Sequence, residues 1–245
     1  MDIDDGADRT NQLLDALPAA DRQRIKPFLR PVFLDLKAVL FEPGETINAV
    51  HFPRNCVVSL VTPLHDGSVV EVASVGNEGI VGVPLLRAGS LAVRAICSVA
   101  GWADRLDAAL FLIEIDRDGA LGKLASKYVQ ALFGQVAQAA ACNRLHSNEE
   151  RLSRWLLMSR DRVGVDTFAV THEFLGQMLG SRRATVTLSA QVLQARGLIR
   201  YHRGHVTIVD RAGLEGVACE CYGHIERQLQ AVVQRTRRRT RRSQH

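Results

Sequence analysis

The chain has no hydrophobic run of about 18 residues, the length that a membrane-spanning helix requires. Its first residues are acidic, whereas a secretory signal begins with basic ones. None of its five cysteines stands in a Cys-x-x-Cys pair, and their number is odd, which argues against a disulfide framework and a zinc ribbon. We therefore expect a cytoplasmic protein with reduced thiols and no membrane partner.

Positive charge is concentrated toward the end of the chain. Residues 1–146 hold 14 Lys/Arg against 17 Asp/Glu, whereas residues 147–210 hold nine against six. Residues 235–245 hold six arginines and no acid, so the pI of about 9.2 comes from the C-terminal part. A basic region joined to a mildly acidic one predicts a nucleic-acid reader attached to a part that senses or dimerises.

The spacing of apolar and turn-forming residues predicts two N-terminal segments. Residues 1–31 form a helical preface, with Pro18 opening its second helix. Residues 32–117 contain short Val/Ile/Leu/Phe runs separated by turn residues at intervals of about ten, a pattern that predicts strands as far as about Ile115 and a β-sandwich or barrel. Asp66-Gly67 lies between two such runs and predicts a hairpin, because Gly accepts the positive φ of a tight turn.

Residues 118–146 contain no proline and predict one long helix. Small and apolar residues recur along it at alternating spacings of three and four. The predicted seam consists of Gly122, Ala125, Val129, Leu132, Val136, Ala139, Asn143 and His146. We interpret this stripe as a dimerisation seam. The alternative is a helix that packs only on its own domain. Gly134 lowers the stability of the predicted helix by about 1 kcal/mol. Asp116-Arg117-Asp118 is expected to supply the N-cap of this helix.

Residues 147–210 contain the most informative stretch. Thr171 can cap a helix, Gly176 is small where a second helix must cross closely, and Gly180 can adopt the left-handed conformation that reverses the chain. A second helix then begins at Ser181 or Arg182 and runs to about residue 195. This order predicts a helix-turn-helix.

Two short alternating strands follow around Arg203-Gly204 and predict a β-wing with a basic tip. A helix-Gly-helix pattern alone is equally typical of an ordinary αα-hairpin. The wing and the local charge of +3 make DNA binding the favoured interpretation.

With these motifs, the chain resembles the cyclic-AMP receptor protein and fumarate-nitrate regulator (Crp/Fnr) family of bacterial transcription regulators. The resemblance is most specific from Thr171 to Ile199, including Arg183-Ala184-Thr185-Val186 and Gly197-Leu198-Ile199. It implies an α+β fold with an N-terminal jelly-roll β-barrel sensor (residues 32–117), a long dimerisation helix (118–146) and a C-terminal winged helix-turn-helix (147–210). Residues 211–245 would form a C-terminal helix and an Arg-rich tail.

The resemblance also implies roles for individual residues. Arg183 falls where the family's base-reading arginine lies, suited to a bidentate contact with guanine, while Thr171, Arg182 and Thr185 fall at phosphate-contacting positions. The other expected DNA-binding residues are Ser181, Ala184, Thr187, Leu188, Arg200, His202 and Arg203. Ala184 replaces the family's usual glutamate and Leu188 a second polar reader, so the DNA site should differ from the family's best-known palindrome.

The sensor part departs further from the family. Val83 replaces the glutamate that holds the ribose of a cyclic nucleotide, and Arg94 is one residue away from the phosphate-binding position, which in a strand reverses its face. No cysteine precedes Cys56, which argues against an iron–sulfur centre, and only His51 and His65 could ligate haem. We expect no cofactor, and the effector stays open.

The resemblance therefore predicts a homodimeric, sequence-specific regulator that binds double-stranded DNA and contacts RNA polymerase, with no catalytic task. One alternative is a cupin-like barrel enzyme fused to a DNA-binding domain, but the barrel has no His-x-His pair for a metal site. The other is a dimeric scaffold module whose helix-turn-helix binds protein.

Two C-terminal features need a separate interpretation. One feature is the group Cys219, Cys221 and His224, which are residue types that bind metals. The sequence predicts a single helix over Leu214–Val233, and on it offsets of two and five residues would scatter these side chains around the helix axis. We therefore expect buried thiols and no metal. The tail over residues 235–245 is expected to be disordered in the free protein and to act as an auxiliary DNA-backbone arm.

Overall fold

The computed structural model of the protein describes residues 9–82, 93–117 and 119–242, the last eight of these by their backbone alone. Within these ranges no helix combines the length and the apolar character that crossing a membrane demands. A run of strands from β1 (Arg30–Leu34) to β7 (Gly101–Asp107) is followed by a run of helices, and the strands pair antiparallel, which is the predicted α+β class.

Two short helices precede the first strand, as the apolar spacing predicts. They are α1 (Gln12–Asp15) and α2 (Ala19–Ile25), and Pro18 is the N-cap of the second. A 3₁₀ turn over Lys26–Phe28 follows. The fully buried Asn11 accepts from the first backbone N–H groups of α1 and donates to the carbonyls of Pro53 and Gly79 at 3.0 and 2.8 Å. This one side chain both caps the preface and joins it to the sheets.

The N-terminal strands form two antiparallel sheets, in the orders β1-β7-β3 and β2-β6-β4-β5. Their bounds are β1 Arg30–Leu34, β2 Val39–Phe41, β3 Ala49–Pro53, β4 Val57–Pro63, β5 Val69–Val75, β6 Arg94–Val99 and β7 Gly101–Asp107. Fully buried side chains from both sheets, such as Phe52 and Cys97, belong to one hydrophobic core. The predicted hairpin is present between β4 and β5, with Gly67 at φ 82° and the Asp66 carboxylate accepting from the N–H of Ser68 at 2.9 Å.

The prediction of strands as far as Ile115 is wrong at its end. β7 ends at Asp107, whose carboxylate accepts from the N–H of Ala109 at 2.9 Å and so caps α3 (Ala108–Asp116). The long helix α4 (Ala120–Leu145) is separate from α3, and Gly119 is its N-cap. The sequence predicts the N-cap of α4 within residues 116–118, but Asp116 is the last residue of α3 and the N-cap is Gly119. Asp118 lies outside the described residues.

α4 buries one face within its own chain, against α3, β5 and the C-terminal helix α9 (Cys221–Arg242). The buried residues are Leu121, Leu124, Ala125, Tyr128, Leu132, Gln135, Ala139 and Cys142. Ala125, Leu132 and Ala139 therefore cannot belong to a dimer seam, and this part of the prediction is wrong. Gly134 faces α9, where an added Cβ would lie 2.4 Å from Oε1 of the Gln228 side chain.

The C-terminal part builds a second core around α5 (Asn148–Val163). A capping box between Ser147 and Glu150 starts this helix. The elements that follow are β8 Thr167–Ala169, α6 His172–Met178, α7 Arg183–Ala195, β9 Ile199–His202, β10 His205–Ile208, α8 Arg211–Val217 and α9 Cys221–Arg242. The single helix predicted over Leu214–Val233 is thus two helices with a break at 218–220. The backbone stays helical to Arg242, where a disordered tail was expected.

Buried polar groups join the barrel to α5. Glu71 on β5 accepts from the Ser59 hydroxyl and, at 3.2 Å, from Nε1 of Trp155 on α5. Arg162 of α5 forms an ion pair with Glu78 at 2.9 Å and donates to Ser74. Desolvation raises the pKa of the Glu71 carboxyl despite the nearby charges of Arg154 and Arg162. Ionised Glu71 is therefore a cost to the folded state.

We expect Glu71→Gln to stabilise the protein at neutral pH. Because the folded-state pKa is raised, the wild-type protein loses stability as pH rises from the ordinary carboxyl pKa through the folded one, whereas glutamine does not titrate. The advantage of the variant should disappear in acid, where Glu71 is protonated in both states. Thermal unfolding between pH 4 and pH 8 tests this, with each kcal/mol worth roughly 2–4 °C. An equal Tm difference at every pH would contradict it.

Candidate nucleic-acid interface

α6, a tight turn and α7 form the predicted helix-turn-helix. The Thr171 hydroxyl accepts from the N–H of Phe174 at 3.1 Å and caps α6. A Cβ on Gly176 would lie 2.8 Å from the carbonyl oxygen of Ser181, so only glycine allows the two segments to cross this closely. Gly180 has φ 57°, the left-handed conformation that reverses the chain. Each of these local predictions is confirmed.

The first residues of α7 are polar and basic, whereas the buried face of the helix is apolar. Val186, Ala190 and Leu193 are buried, as predicted. Arg182, Arg183 and Ala184 at the start of α7 are exposed, as is Leu188 one turn later, with 62% of its surface accessible. Thr185 is half-buried. The side chains at the beginning of α7 can therefore reach a ligand that approaches the outer face of the helix.

Two of the expected DNA-binding hydroxyls have partners inside the domain. The Ser181 hydroxyl donates to Oδ1 of Asn148 at the start of α5. The Thr187 hydroxyl donates to the carbonyl of Arg183 and lies 3.0 Å from Nδ1 of His172. These groups hold the helix-turn-helix together in this structure.

An aromatic pair fixes the wing against the helices. The rings of His172 on α6 and Tyr201 on β9 lie 4.1 Å apart, and the Tyr201 hydroxyl donates to the carbonyl of Val170. Burial lowers the pKa of His172, and the positive charge of Arg183 lowers it further. A neutral imidazole therefore packs between the wing and α7.

The wing is a three-stranded antiparallel sheet in the order β8-β10-β9. The predicted turn is present, with Arg203 at φ 46° and Gly204 at φ 81°. Arg200, His202 and Arg203 are exposed on it, as expected of a basic tip. Sequence reasoning missed β8, whose three residues are too few for a reliable alternating pattern. The β-branched Thr167 next to the aromatic Phe168 was the available signal.

Residues 150–217 match the family model of the Crp-like helix-turn-helix domain. The C-terminal region is a Crp-like helix-turn-helix domain. The matched domain supports a role in DNA-binding transcription regulation.

Solved structures extend the likeness to the barrel. FixK2 from Bradyrhizobium japonicum is 14% identical with a TM-score of 0.66, covering 78% of this chain and 98% of that protein. A CRP-family transcriptional regulator from Thermus thermophilus is 19% identical with a TM-score of 0.61, covering 77% and 96%. The c-di-GMP-responsive global regulator CLP from Xanthomonas campestris is 15% identical with a TM-score of 0.60, covering 78% and 98%. At these identities the likeness establishes the fold. The comparison with curated proteins gave no match.

The turn of the Crp-like domain rests on the barrel. Gly180 packs on Val70 of β5, where an added Cβ would lie 3.2 Å from a Val70 methyl group. Beside this contact, a cleft of about 460 Å³ separates the β4–β5 hairpin from α6 and the start of α7. Arg182 and Arg183 line the cleft, together with Leu64 and Gln177. The basic start of α7 therefore faces the β4–β5 hairpin.

The barrel contains the residues that the sequence analysis considered as ligands of a cyclic nucleotide or of haem. Nε of Arg94 forms an ion pair with Glu42 at 2.8 Å, so this guanidinium already has a carboxylate partner. Val83 lies outside the described residues. His51 lines a cavity of about 310 Å³ beside Arg105, and burial, with a smaller contribution from that arginine, lowers its pKa to about 4. His65 is exposed.

The expectation for the C-terminal cysteines is wrong in its geometry. Cys219 precedes α9 and Cys221 begins it, so the two do not share a helix as had been assumed. They meet Cys142 and His146 from the end of α4, while His224 lies outside the group. The spacing of Cys142 and His146, four residues apart on a predicted helix, was the available signal, since it puts both on one face.

Proposed function

We propose that this chain binds a palindromic DNA site as a homodimer, with α7 of each protomer in a major groove. The observation that carries the proposal is the exposed, basic start of α7 beside a basic wing in a Crp-like domain. Two recognition helices related by a twofold axis would read half-sites about one helical turn, roughly 34 Å, apart. RNA polymerase is the expected protein partner at the promoter.

The exposed side chains suggest a division of roles on the duplex. Arg183 would donate to N7 and O6 of guanine, the commonest specific contact of an arginine. Thr171, Arg182 and Thr185 would contact phosphates, as would Arg200, His202 and Arg203 of the wing. Ala184 and the exposed Leu188 offer no hydrogen bond and suit the methyl group of thymine.

A revised seam on α4 supports the dimer. After packing against its own chain, α4 leaves Val129, Phe133, Val136 and Ala140 half-buried or exposed at spacings of four, three and four. Phe133 is 73% exposed, an unusual position for an aromatic side chain unless a partner covers it. The seam shares Val129 and Val136 with the predicted one and replaces Leu132 by Phe133.

The contact between Gly180 and Val70 offers a route for regulation. DNA must occupy the space around Arg182 and Arg183, and these residues line the cleft shared with the β4–β5 hairpin. A change in the barrel that moves this hairpin would change access to α7. An effector of the barrel, whose chemistry stays open, would act in this way.

Selection of bound duplexes from a random DNA pool, at near-physiological salt and without added ligand, tests the proposal. Recovery of an inverted repeat is the expected result and fits a dimer that reads base edges. Recovery of random sequences alone, bound in a salt-sensitive manner, would contradict sequence-specific binding by the free protein. Absence of any DNA binding would favour the scaffold alternative, in which the helix-turn-helix binds protein.

The arginines of residues 235–245 are expected to add affinity without specificity. Deleting these residues should weaken binding to the selected site and to a scrambled duplex by the same factor, because phosphate contacts carry no sequence information. The slope of log K against log salt should fall by about 0.9 for each lost contact. Binding titrations at several salt concentrations measure both effects. A change in the preferred sequence would contradict a purely auxiliary arm.

A further inference from the structure

The last turn of α4 and the start of α9 bring three thiols and one imidazole together. Sγ of Cys142 lies 3.6 Å from Sγ of Cys219, and Sγ of Cys221 lies 3.6 Å from Nδ1 of His146. All four atoms lie within 4.8 Å of one another. The three cysteines are buried, with at most 4% of their surface accessible.

We propose that Cys142, His146, Cys219 and Cys221 bind one zinc ion. Zinc prefers four tetrahedral ligands and commonly takes a Cys₃His set, with zinc–sulfur distances of about 2.3 Å. A tetrahedron of that size has sulfur–sulfur edges of about 3.8 Å. The 3.6 Å between the sulfurs of Cys142 and Cys219 is close to this edge. The four ligand atoms all lie within 4.8 Å of one another, so shifts of about 1 Å or less would let them coordinate one ion.

The surroundings of the four groups suit a bound cation. Nε2 of His146 lies 3.1 Å from Oε2 of Glu220, so that Nδ1 is left to face the sulfurs. A carboxylate on the second ring nitrogen is the usual partner of a metal-bound histidine, because it orients the ring and fixes its tautomer. Gln138 donates to Sγ of Cys221 at 3.0 Å, which would stabilise a thiolate there.

Nearby charges also balance the site. Three thiolates and one Zn²⁺ carry a net charge of −1, and the buried guanidinium groups of Arg151 and Arg154 interact electrostatically with the thiols. A disulfide between Cys142 and Cys219 would use only two of the four groups. The convergence of all four, with an oriented histidine, favours a metal.

With four protein ligands the site is closed, as structural zinc sites are. The ion would join the helix before the Crp-like domain to the segment that follows its last helix. Arg151, beside the thiols, donates to Oδ1 of Asn143 at 2.9 Å and to the carbonyl of Leu179 in the helix-turn-helix. The zinc site would therefore hold α9 on α4 and support the turn from behind.

The first test measures metal in the full-length protein, purified with a reductant and without a chelator. We expect about one zinc per chain by plasma mass spectrometry. Cobalt exchanged into the site should give the visible absorption of tetrahedral Co²⁺ and a sulfur-to-cobalt charge-transfer band. Protein that contains no zinc and, when reduced, does not bind Co²⁺ would overturn the proposal. Intact mass and peptide mapping that find a Cys142–Cys219 disulfide would overturn it as well.

Variants separate the site from the general effect of losing a thiol. Cys142→Ser and Cys221→Ser should lose the metal, whereas the matched control Cys97→Ser, at a buried thiol in the barrel core, should keep it. His146→Asn changes a partly exposed side chain and should weaken zinc binding even where a cysteine variant fails to fold. Glu220→Gln should weaken it about 10–100-fold. Unchanged zinc affinity in both His146→Asn and Glu220→Gln would contradict the assigned ligand set.

Discussion

Replacing Arg183 with alanine is expected to reduce strongly the preference of the protein for its selected DNA site. The side chain is exposed at the first residue of α7, and a bidentate contact with guanine contributes about 1–3 kcal/mol of discrimination. A dimer loses this contact in both half-sites, so the ratio of specific to non-specific affinity should fall roughly 30-fold or more. Competition titrations with the selected and scrambled duplexes measure this ratio.

Arg196→Ala is the matched control for this experiment. Arg196 is also exposed and on the same helix, but at its C-cap, away from the helix start. Its loss should reduce non-specific attraction at most. Arg183→Lys keeps the charge without the bidentate geometry, and we expect it to lose discrimination while keeping salt-dependent binding. Wild-type discrimination in Arg183→Ala would exclude this residue as the base reader.

Phe133→Asp is expected to convert the proposed dimer into monomers. Burying a phenylalanine side chain contributes about 1.5–3 kcal/mol, and a twofold interface buries it twice. The loss should raise the dimer dissociation constant at least about 100-fold, before the cost of burying two carboxylates is added. Because Phe133 is 73% exposed within its own chain, the fold of the monomer should persist. Sedimentation equilibrium measures the assembly, and thermal unfolding checks the fold.

Phe28→Asp provides the control, since Phe28 is 48% exposed and belongs to the N-terminal 3₁₀ turn, not to α4. It should leave the assembly unchanged. If the Phe133→Asp protein still dimerises with wild-type affinity, α4 does not form the dimer interface. The helix would then pack on its own domain alone. Binding of the monomeric variant to a single half-site would show that the Crp-like domain stays intact.

The helix-turn-helix could be predicted because its geometry is encoded within a few residues. Gly180 must be left-handed, Gly176 must allow a close crossing, and Thr171 must cap a helix, and each residue type suits that role through its own backbone or side-chain chemistry. The hairpin turn at Gly67 was predictable for the same reason. None of these features depends on residues far away in the chain.

The faces of α4 could not be predicted in the same way. A spacing of three and four identifies an apolar stripe but not what covers it, and α4 carries more than one such stripe. Leu132 packs inside the chain because α9 and β5 lie against that side, which leaves Phe133 on the open one. The end of the barrel was misjudged similarly, because the apolar residues of α3 suit a strand or a helix equally well.

The sequence by itself determined the elements whose conformation depends on near neighbours: the capped helices, the glycine turns, the wing and the basic stretch at the start of α7. Tertiary structure alone decided which helix faces stay open, where the barrel meets the turn at Gly180, and that Cys142 meets Cys219, 77 residues away. The physical reason is that capping and φ preferences act over a few residues. The burial of a face, or the convergence of ligands, depends on chain segments that only the fold brings together.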